Sequence, residues 1–254
     1  VSTEQTTAIV LRTVEFSETS LIVTLLTKDL GQVSAIAKGA RRPKGPFEGS
    51  LDLLAVCRVV IIRKNNDSLD ILTEAKLHRR FRGADRSLER LYGGYYVAEM
   101  LRLLLDDHAD HPDVYDLTIK VLQQLDGTGP VASSLAFFDL QILRMLGHAP
   151  STESCIDCGT SLSLEARIPF AIEGGGIVCR SCRSRQRSIV MVRAETMRLI
   201  NVIQNPNLDA PIPISNNHYG ELRSVLNRYI QNVLGRLPRM QAFLPMIAKN
   251  EFIA

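Results

Sequence analysis

Several features that would each place a chain in a known class are missing from these 254 residues. No uninterrupted apolar run approaches the roughly 18 residues of a membrane-spanning helix, so no membrane span is expected. Residues 1–7 are polar and no apolar h-region of a signal peptide follows them, so export to an oxidising compartment is not expected and the cytoplasm is the default. The chain has no G-x-x-x-x-G-K-[ST] loop, no G-x-G-x-x-G after a strand, no G-x-S-x-G and no H-E-x-x-H. The phosphate cradles, nucleophile elbows and hydrolytic zinc helices built on those patterns are therefore excluded. None of His78, His108, His111, His148 or His218 has Glu two residues on, which removes the zinc-deaminase pattern. Internal repeats and low-complexity segments are also lacking, and no catalytic constellation emerges.

Cysteine is scarce but concentrated. Four of the five, Cys155, Cys158, Cys179 and Cys182, form C-I-D-C and C-R-S-C pairs that bracket twenty residues. A C-x2-C pair presents two sulfurs from one turn, and two such pairs complete the tetrahedral shell of one zinc ion. A closed shell leaves no position for water or substrate, so the ion is expected to be structural, with iron as the alternative metal. Disulfides would need an oxidising compartment, and a thioredoxin-like centre would need one pair at a helix start rather than two facing pairs. Gly159, Gly174, Gly175 and Gly176 suit tight turns beside the pairs. Cys57 stands apart in an apolar run and is expected to be a buried packing residue.

With 45% hydrophobic and 22% charged residues the composition is that of an ordinary soluble protein of two or three domains. The net charge is only +3, but its distribution is uneven. Cations crowd residues 28–90, Asp106, Asp107, Asp110, Asp113, Asp116 and Asp126 crowd the middle, and Arg180, Arg183, Arg185 and Arg187 surround the end of the second cysteine pair.

Five strand-like runs, at 8–14, 20–27, 32–37, 56–63 and 69–75, are rich in Val, Ile, Leu and Thr and separated by turn signals. They leave no room for crossover helices, so antiparallel pairing in a small barrel of OB or SH3-like type is expected. From Ser87 the period becomes helical, with helices at 87–105, 114–125 and 132–146, whose apolar stripes predict a bundle. Gly93 and Gly94 weaken the first of these unless another element approaches closely there. Two more helices, at 194–204 and 219–234, flank a Pro- and Asn-rich loop, and residues 243–254 are apolar enough to dock.

The basic head is the best functional candidate. Lys38, Arg41, Arg42 and Lys44 share one Gly- and Pro-broken loop, and Arg79, Arg80 and Arg82 follow the last strand; together they could meet a phosphate backbone. Phe16, Phe47 and Phe81 lie among these cations as base-stacking platforms would, pointing to single strands. A solvated charged face, serving a protein scaffold, is the plain alternative. So are an RNA-binding or transcriptional adaptor made of a barrel plus a zinc ribbon, and a metal-dependent nuclease using Asp106, Asp107 and Asp110 with His108 and His111 beside them.

The opening A-I-V-L-R-T-V-E-F-S-E-T-S-L-I-V-T-L-L-T-K-D-L-G-Q-V-S-A-I-A-K-G-A-R-R-P-K-G, with A-K-G-A-R-R at 37–42 as its most specific part, resembles the N-terminal signature of the bacterial RecO family of recombination mediators. Y-Y-V-A-E-M-L-R-L-L-L resembles the start of that family's helical domain, and L-G-H-A-P-S-T-E-S-C-I-D-C-G with G-G-G-I-V-C-R-S-C resembles its zinc-bearing members. The resemblance implies a multidomain α+β protein: an OB-fold β-barrel at 1–82, then an α-helical domain at 83–254 with a zinc module inserted at about 151–188. It implies a non-enzymatic DNA repair protein that binds single- and double-stranded DNA. Such a protein anneals complementary strands coated with single-stranded DNA-binding protein and acts with RecR to load RecA, in the nucleoid-associated cytoplasm. By position, Lys38, Arg41, Arg42 and Lys44 fall on the family's DNA-contacting loop, and one structural zinc ion falls on the four cysteines. Gly93-Gly94 departs from the bulkier helix formers expected there and predicts a kink.

Overall fold

The computed structural model describes residues 2–43, 45–47, 49–64, 69–107, 109–163 and 166–251, which fall into two compact units, 1–127 and 128–254. Lys44 and His108, both nominated above, lie outside the described residues.

The first unit begins with β1 (Ser2–Glu15), β2 (Leu21–Thr27), β3 (Gln32–Ala37), β4 (Val56–Arg63) and β5 (Asp70–Arg79). They close on themselves in the order β1-β2-β3-β5-β4, with β4 returning to pair along β1. Alternating apolar residues turn inward, and Ala8, Val10, Val23, Leu25, Val33, Ala35, Val59, Ile61 and Leu72 fill the interior. The antiparallel expectation fails at one ladder. β3 and β5 run parallel, Ala35 opposite Asp70 and Ala37 opposite Leu72, because the long 38–55 connection lets β4 cross to the far side before β5 returns. Cys57 is buried as expected. Its Sγ donates to the Ser50 carbonyl at 2.9 Å, and burial, reinforced by the Asp52 charge, pushes its pKa up to about 11, an inert thiol.

The helices α1 (Gly83–Arg86), α2 (Leu88–Leu104) and α3 (Pro112–Asp126) complete this unit. Ser87 caps α2, its Oγ accepting the Arg90 N–H at 3.4 Å, and Pro112 opens α3 at a position where no N–H is needed. α2 runs unbroken through Gly93-Gly94. A Cβ at Gly94 would stand 2.6 Å from the Phe81 ring and 2.7 Å from a Leu54 methyl, so the pair admits a close approach, as its composition suggested.

The second unit is built around α4 (Val131–Met145), buried along nearly its whole length among α5 (Ala194–Ile203), α6 (Asn216–Leu234) and α7 (Leu244–Glu251). The single bundle expected of the first three long helices is therefore divided: α2 and α3 belong with the barrel, α4 with the later helices. An apolar stripe tells that a helix face is buried but not against what. A three-stranded sheet, β6 (Arg167–Ala171), β7 (Gly176–Ile177) and β8 (Ile189–Arg193) in the order β7-β6-β8, lies in the cysteine-bearing segment and was not foreseen.

Inside the second unit, Arg223 Nη1 donates to Asp139 Oδ2 at 2.5 Å, with side-chain exposures of 7% and 0%, and Arg223 Nε donates to Asn227 Oδ1 at 2.6 Å. Removing one partner of a buried ion pair strands the other charge, whereas replacing both costs little. The Asp139→Leu variant is expected to lose about 3–5 kcal/mol of stability in urea unfolding, and Asp139→Leu with Arg223→Met to recover most of it. Equal losses for the single and double variants would show that the pair is not what holds α4 to α6.

Candidate nucleic-acid interface and metal centre

The loop joining β3 to β4 carries the cations, and three kinds of contact fix it to the barrel. Phe47, 3% exposed, inserts into the barrel core, and Ser50 folds back on it, its Oγ donating to the Phe47 carbonyl at 2.9 Å. The Arg41 N–H donates to the Thr19 carbonyl at 3.0 Å, and its guanidinium meets Glu15 at 3.2 Å, so the loop is tied to the β1–β2 turn. Arg80 Nη2 donates to the Gly49 carbonyl at 3.2 Å and Nη1 lies 3.5 Å from Asp52, which ties the end of β5 to the same loop. Glycine and proline thus deny the loop regular structure, while one buried aromatic gives it a fixed position.

On that platform Lys38, Arg41 and Arg42 are exposed, and Arg82 is exposed just beyond β5. The Arg41–Glu15 pair is itself exposed, and a pair of that kind stabilises by about 0–1 kcal/mol, so a phosphate can exchange with the carboxylate at little cost. Arg79 and Arg80 are differently placed. Arg79 is turned to Asp126 of α3 at 3.6 Å, and Arg80 is spent on Asp52 and Gly49. The backbone N–H of Arg82 donates to the same Asp126 at 2.7 Å, leaving its side chain outward.

The three aromatics also separate. Phe47 is a core residue, not a stacking platform, because the barrel end needs an apolar plug more than the loop needs a flat surface. Phe81 is half-buried with its ring over Gly94. Phe16 alone stands out, 59% exposed in the β1–β2 turn beside the Arg41 tether. The acidic waist forms no metal site among the described residues. Asp107 accepts from Gln32 Nε2 at 3.1 Å, and the cysteine quartet alone brings three or more metal-binding side chains together there.

That quartet is tight. The sulfurs of Cys155, Cys158, Cys179 and Cys182 all lie within 4.8 Å of one another, and those of Cys158 and Cys179 are 3.8 Å apart. A tetrahedron with metal–sulfur bonds of about 2.3 Å has edges of about 3.8 Å, so the four atoms are spaced for one ion. Each pair is a folded turn. Gly159 N–H donates to the Cys155 carbonyl at 2.9 Å, while Cys182 and Arg183 N–H donate to the Cys179 carbonyl at 3.2 and 3.0 Å. The Gly174–Gly176 stretch is small for two reasons: Gly175 has φ +68, and a Cβ on it would stand 2.6 Å from the Tyr229 hydroxyl.

Four thiols at this distance cannot all ionise unaided. Burial raises the Cys155 thiol, but N–H groups of Cys179, Cys158 and Asp157 outweigh it and bring it below its ordinary value. The Thr160 hydroxyl, 3.3 Å from the sulfur, leads in holding Cys158 down to about 6, whereas hydrogen bonding with Cys179, then burial, pushes Cys182 up to about 12. A divalent cation is what allows four thiolates to coexist, and the donor set is soft. Sequence reasoning found the four cysteines that converge but missed the surrounding shell: Thr160, and Gln186 Nε2 donating to Asp157 Oδ1 at 2.9 Å, which braces the first turn against the segment after the second.

A closed five-stranded barrel bearing an anchored cationic loop, followed by a helical unit with four converging thiols that could hold a metal ion, defines a modular α+β protein. Two family models cover the chain, Recombination protein O N terminal over residues 1–81 and Recombination protein O C terminal over 86–241, and the chain belongs to the RecO family of DNA repair and recombination proteins. It is 49% identical to the DNA repair protein RecO of Rhodopirellula baltica over 263 residues, covering 94% of this chain and 97% of that one. It is 30% identical to the DNA repair protein RecO of Anaeromyxobacter dehalogenans strain 2CP-C over 243 residues, with 95% of each chain covered. With that of Dehalococcoides mccartyi strain ATCC BAA-2266 it shares 28% identity over 247 residues, 96% of each. Among the described residues no helix is long and apolar enough to cross a membrane.

Proposed function

We propose that this chain is a non-enzymatic recombination mediator of the nucleoid-associated cytoplasm. It binds single- and double-stranded DNA, anneals complementary strands coated with single-stranded DNA-binding protein, and acts with RecR to load RecA. The observation that carries the reading is the anchored loop of the first unit, where Lys38, Arg41 and Arg42 are exposed on backbone held by Phe47 and Arg80. A rigid cationic surface is pre-organised for phosphates, and the strand order β1-β2-β3-β5-β4 supports reading the barrel as an OB fold. Lys38, Arg41, Arg42, Lys44 and Arg82 are the proposed DNA contacts, with Arg79 and Arg80 positioning the strand end and the loop. Phe16 is the proposed stacking aromatic. The four cysteines hold one structural zinc ion.

Annealing needs no catalytic group. Two single strands repel each other, and a surface that neutralises phosphates lowers that cost and concentrates both. Each contact adds roughly 0.7 to the salt slope on single strands and roughly 0.9 on duplex. The test is the annealing of complementary oligonucleotides coated with the cognate single-stranded DNA-binding protein, followed by fluorescence quenching. Acceleration that fades as salt rises, without strand cleavage, is the expected result. No acceleration despite binding to bare strands would favour the RNA-binding adaptor instead, and preference for RNA oligonucleotides would then be measured.

A further inference from the structure

Four arginines take no part in the interface described so far. Arg180 lies within the second C-x2-C turn, Arg183 and Arg185 bound a 3₁₀ turn that starts directly after Cys182, and Arg187 follows two residues later. All four are exposed, and none forms an ion pair among the described residues. This contrasts with the barrel, where Arg41, Arg79 and Arg80 each already face a carboxylate. The neighbouring Asp157 carboxylate accepts from Gln186 Nε2 at 2.9 Å and forms no ion pair with them among the described residues.

Their backbone is held in place. Arg183 N–H donates to the Cys179 carbonyl, Arg185 N–H to the Cys182 carbonyl at 3.0 Å, and Gln186 N–H to the Arg183 carbonyl at 3.2 Å. The turn therefore grows out of the metal-binding knuckle itself. Its composition is also selective: 180–188 reads R-S-C-R-S-R-Q-R-S, with no aromatic or lysine. Guanidinium forks match phosphate oxygens with two parallel hydrogen bonds, and four of them within eight residues make a dense cationic surface suited to a nucleic-acid backbone.

We propose that this arginine turn is a second DNA-backbone site, so that each compact unit of one chain carries its own strand: one on the barrel loop, one on the cysteine module. The proposal rests on the DNA-mediator reading and extends it. One cationic surface concentrates both strands near it, whereas two surfaces let one chain hold a strand on each at once. It also gives the metal a purpose beyond folding, since the ion fixes the turn that bears the charges.

The experiment uses the full-length, metal-loaded chain and a variant carrying Arg180→Ala, Arg183→Ala, Arg185→Ala and Arg187→Ala, none of which is a ligand. Both are titrated with a dT oligonucleotide of about 10 nucleotides, within the span of one single-strand site, and with polyglutamate. The native chain is expected to saturate at two oligonucleotides and the variant at one. The salt slope for a long single strand should fall by up to about 2.8, four contacts at about 0.7 each. If the fourfold variant loses its metal, Arg183→Ala with Arg185→Ala alone should lower the slope by about 1.4 while keeping it. A native chain that takes one oligonucleotide, or variants with unchanged stoichiometry and slope, would overturn the proposal. Variants that still take two oligonucleotides but no longer bind polyglutamate would overturn it in favour of an acidic protein partner. A native chain that binds no oligonucleotide refutes the mediator reading itself, a distinguishable outcome.

Discussion

The Cys155→Ser variant is expected to lose its metal and with it the fold of the cysteine module. Cys155 is buried, packs with Ala171, Val178 and Cys182, and receives N–H groups from both turns. Structural zinc stabilises small modules by about 10–16 kcal/mol shared over four ligands, so one thiolate accounts for roughly 2.5–4 kcal/mol, on the order of a hundred- to a thousand-fold in affinity. Serine keeps the size but is a poor ligand at neutral pH. Metal per chain after dialysis should fall from one to near zero, and limited proteolysis should open the segment around 155–182. The barrel, lying in the other unit, should keep its unfolding transition. The Cys57→Ser variant provides the contrast: its thiol is far from the quartet in sequence and buried in the barrel, so metal content should not change. A Cys155→Ser protein with one tightly held ion would mean that the ligand set is wrong.

Charge reversal on the barrel loop should have the largest functional effect. Arg41→Glu with Arg42→Glu replaces two exposed cations by anions and removes the Glu15 tether, while Phe47, Arg80 and the Arg41 backbone N–H continue to hold the loop. Stability should move by no more than about 1 kcal/mol, since only the exposed Glu15 pair is lost. The salt slope on single strands should flatten by about 1.4, and annealing should fall to the spontaneous rate. Glu15→Gln should act in the opposite sense, because it removes the carboxylate that competes with phosphate for Arg41. A double variant that still anneals at the native rate would remove this loop from the interface.

Periodicity explains most of what the sequence disclosed. The strands found at 21–27, 32–37 and 56–63 coincide with the apolar runs almost to the residue, because each is bounded by Gly, Asn or Asp and half-buried on one face. The four cysteines were legible because metal geometry tolerates few spacings, and the sulfurs do converge. What escaped detection shares a different cause. The β3–β5 parallel ladder, the split of α2 and α3 from α4, and the pairing of Arg79 with Asp126 all depend on which distant surface an element meets. β6 to β8 were too short for a period to register. Phe47 was ambiguous in kind: a phenylalanine between Pro46 and residue 48 in a cationic loop has the same local sequence whether it stacks on a base or plugs a barrel.

The way the barrel closes has a kinetic corollary. β1 finds β2 nearby, but its second partner, β4, lies some fifty residues on, and β3 waits for β5 across the whole 38–69 interval. Non-local pairings must meet the entropy of loop closure before any packing rewards them, which slows folding. The β1–β2–β3 meander has two unsatisfied margins: β4 covers that of β1, and β5 then closes the gap between β3 and β4. Phe47 lies within that same interval, so the cationic loop it anchors takes its final shape as the barrel becomes seamless.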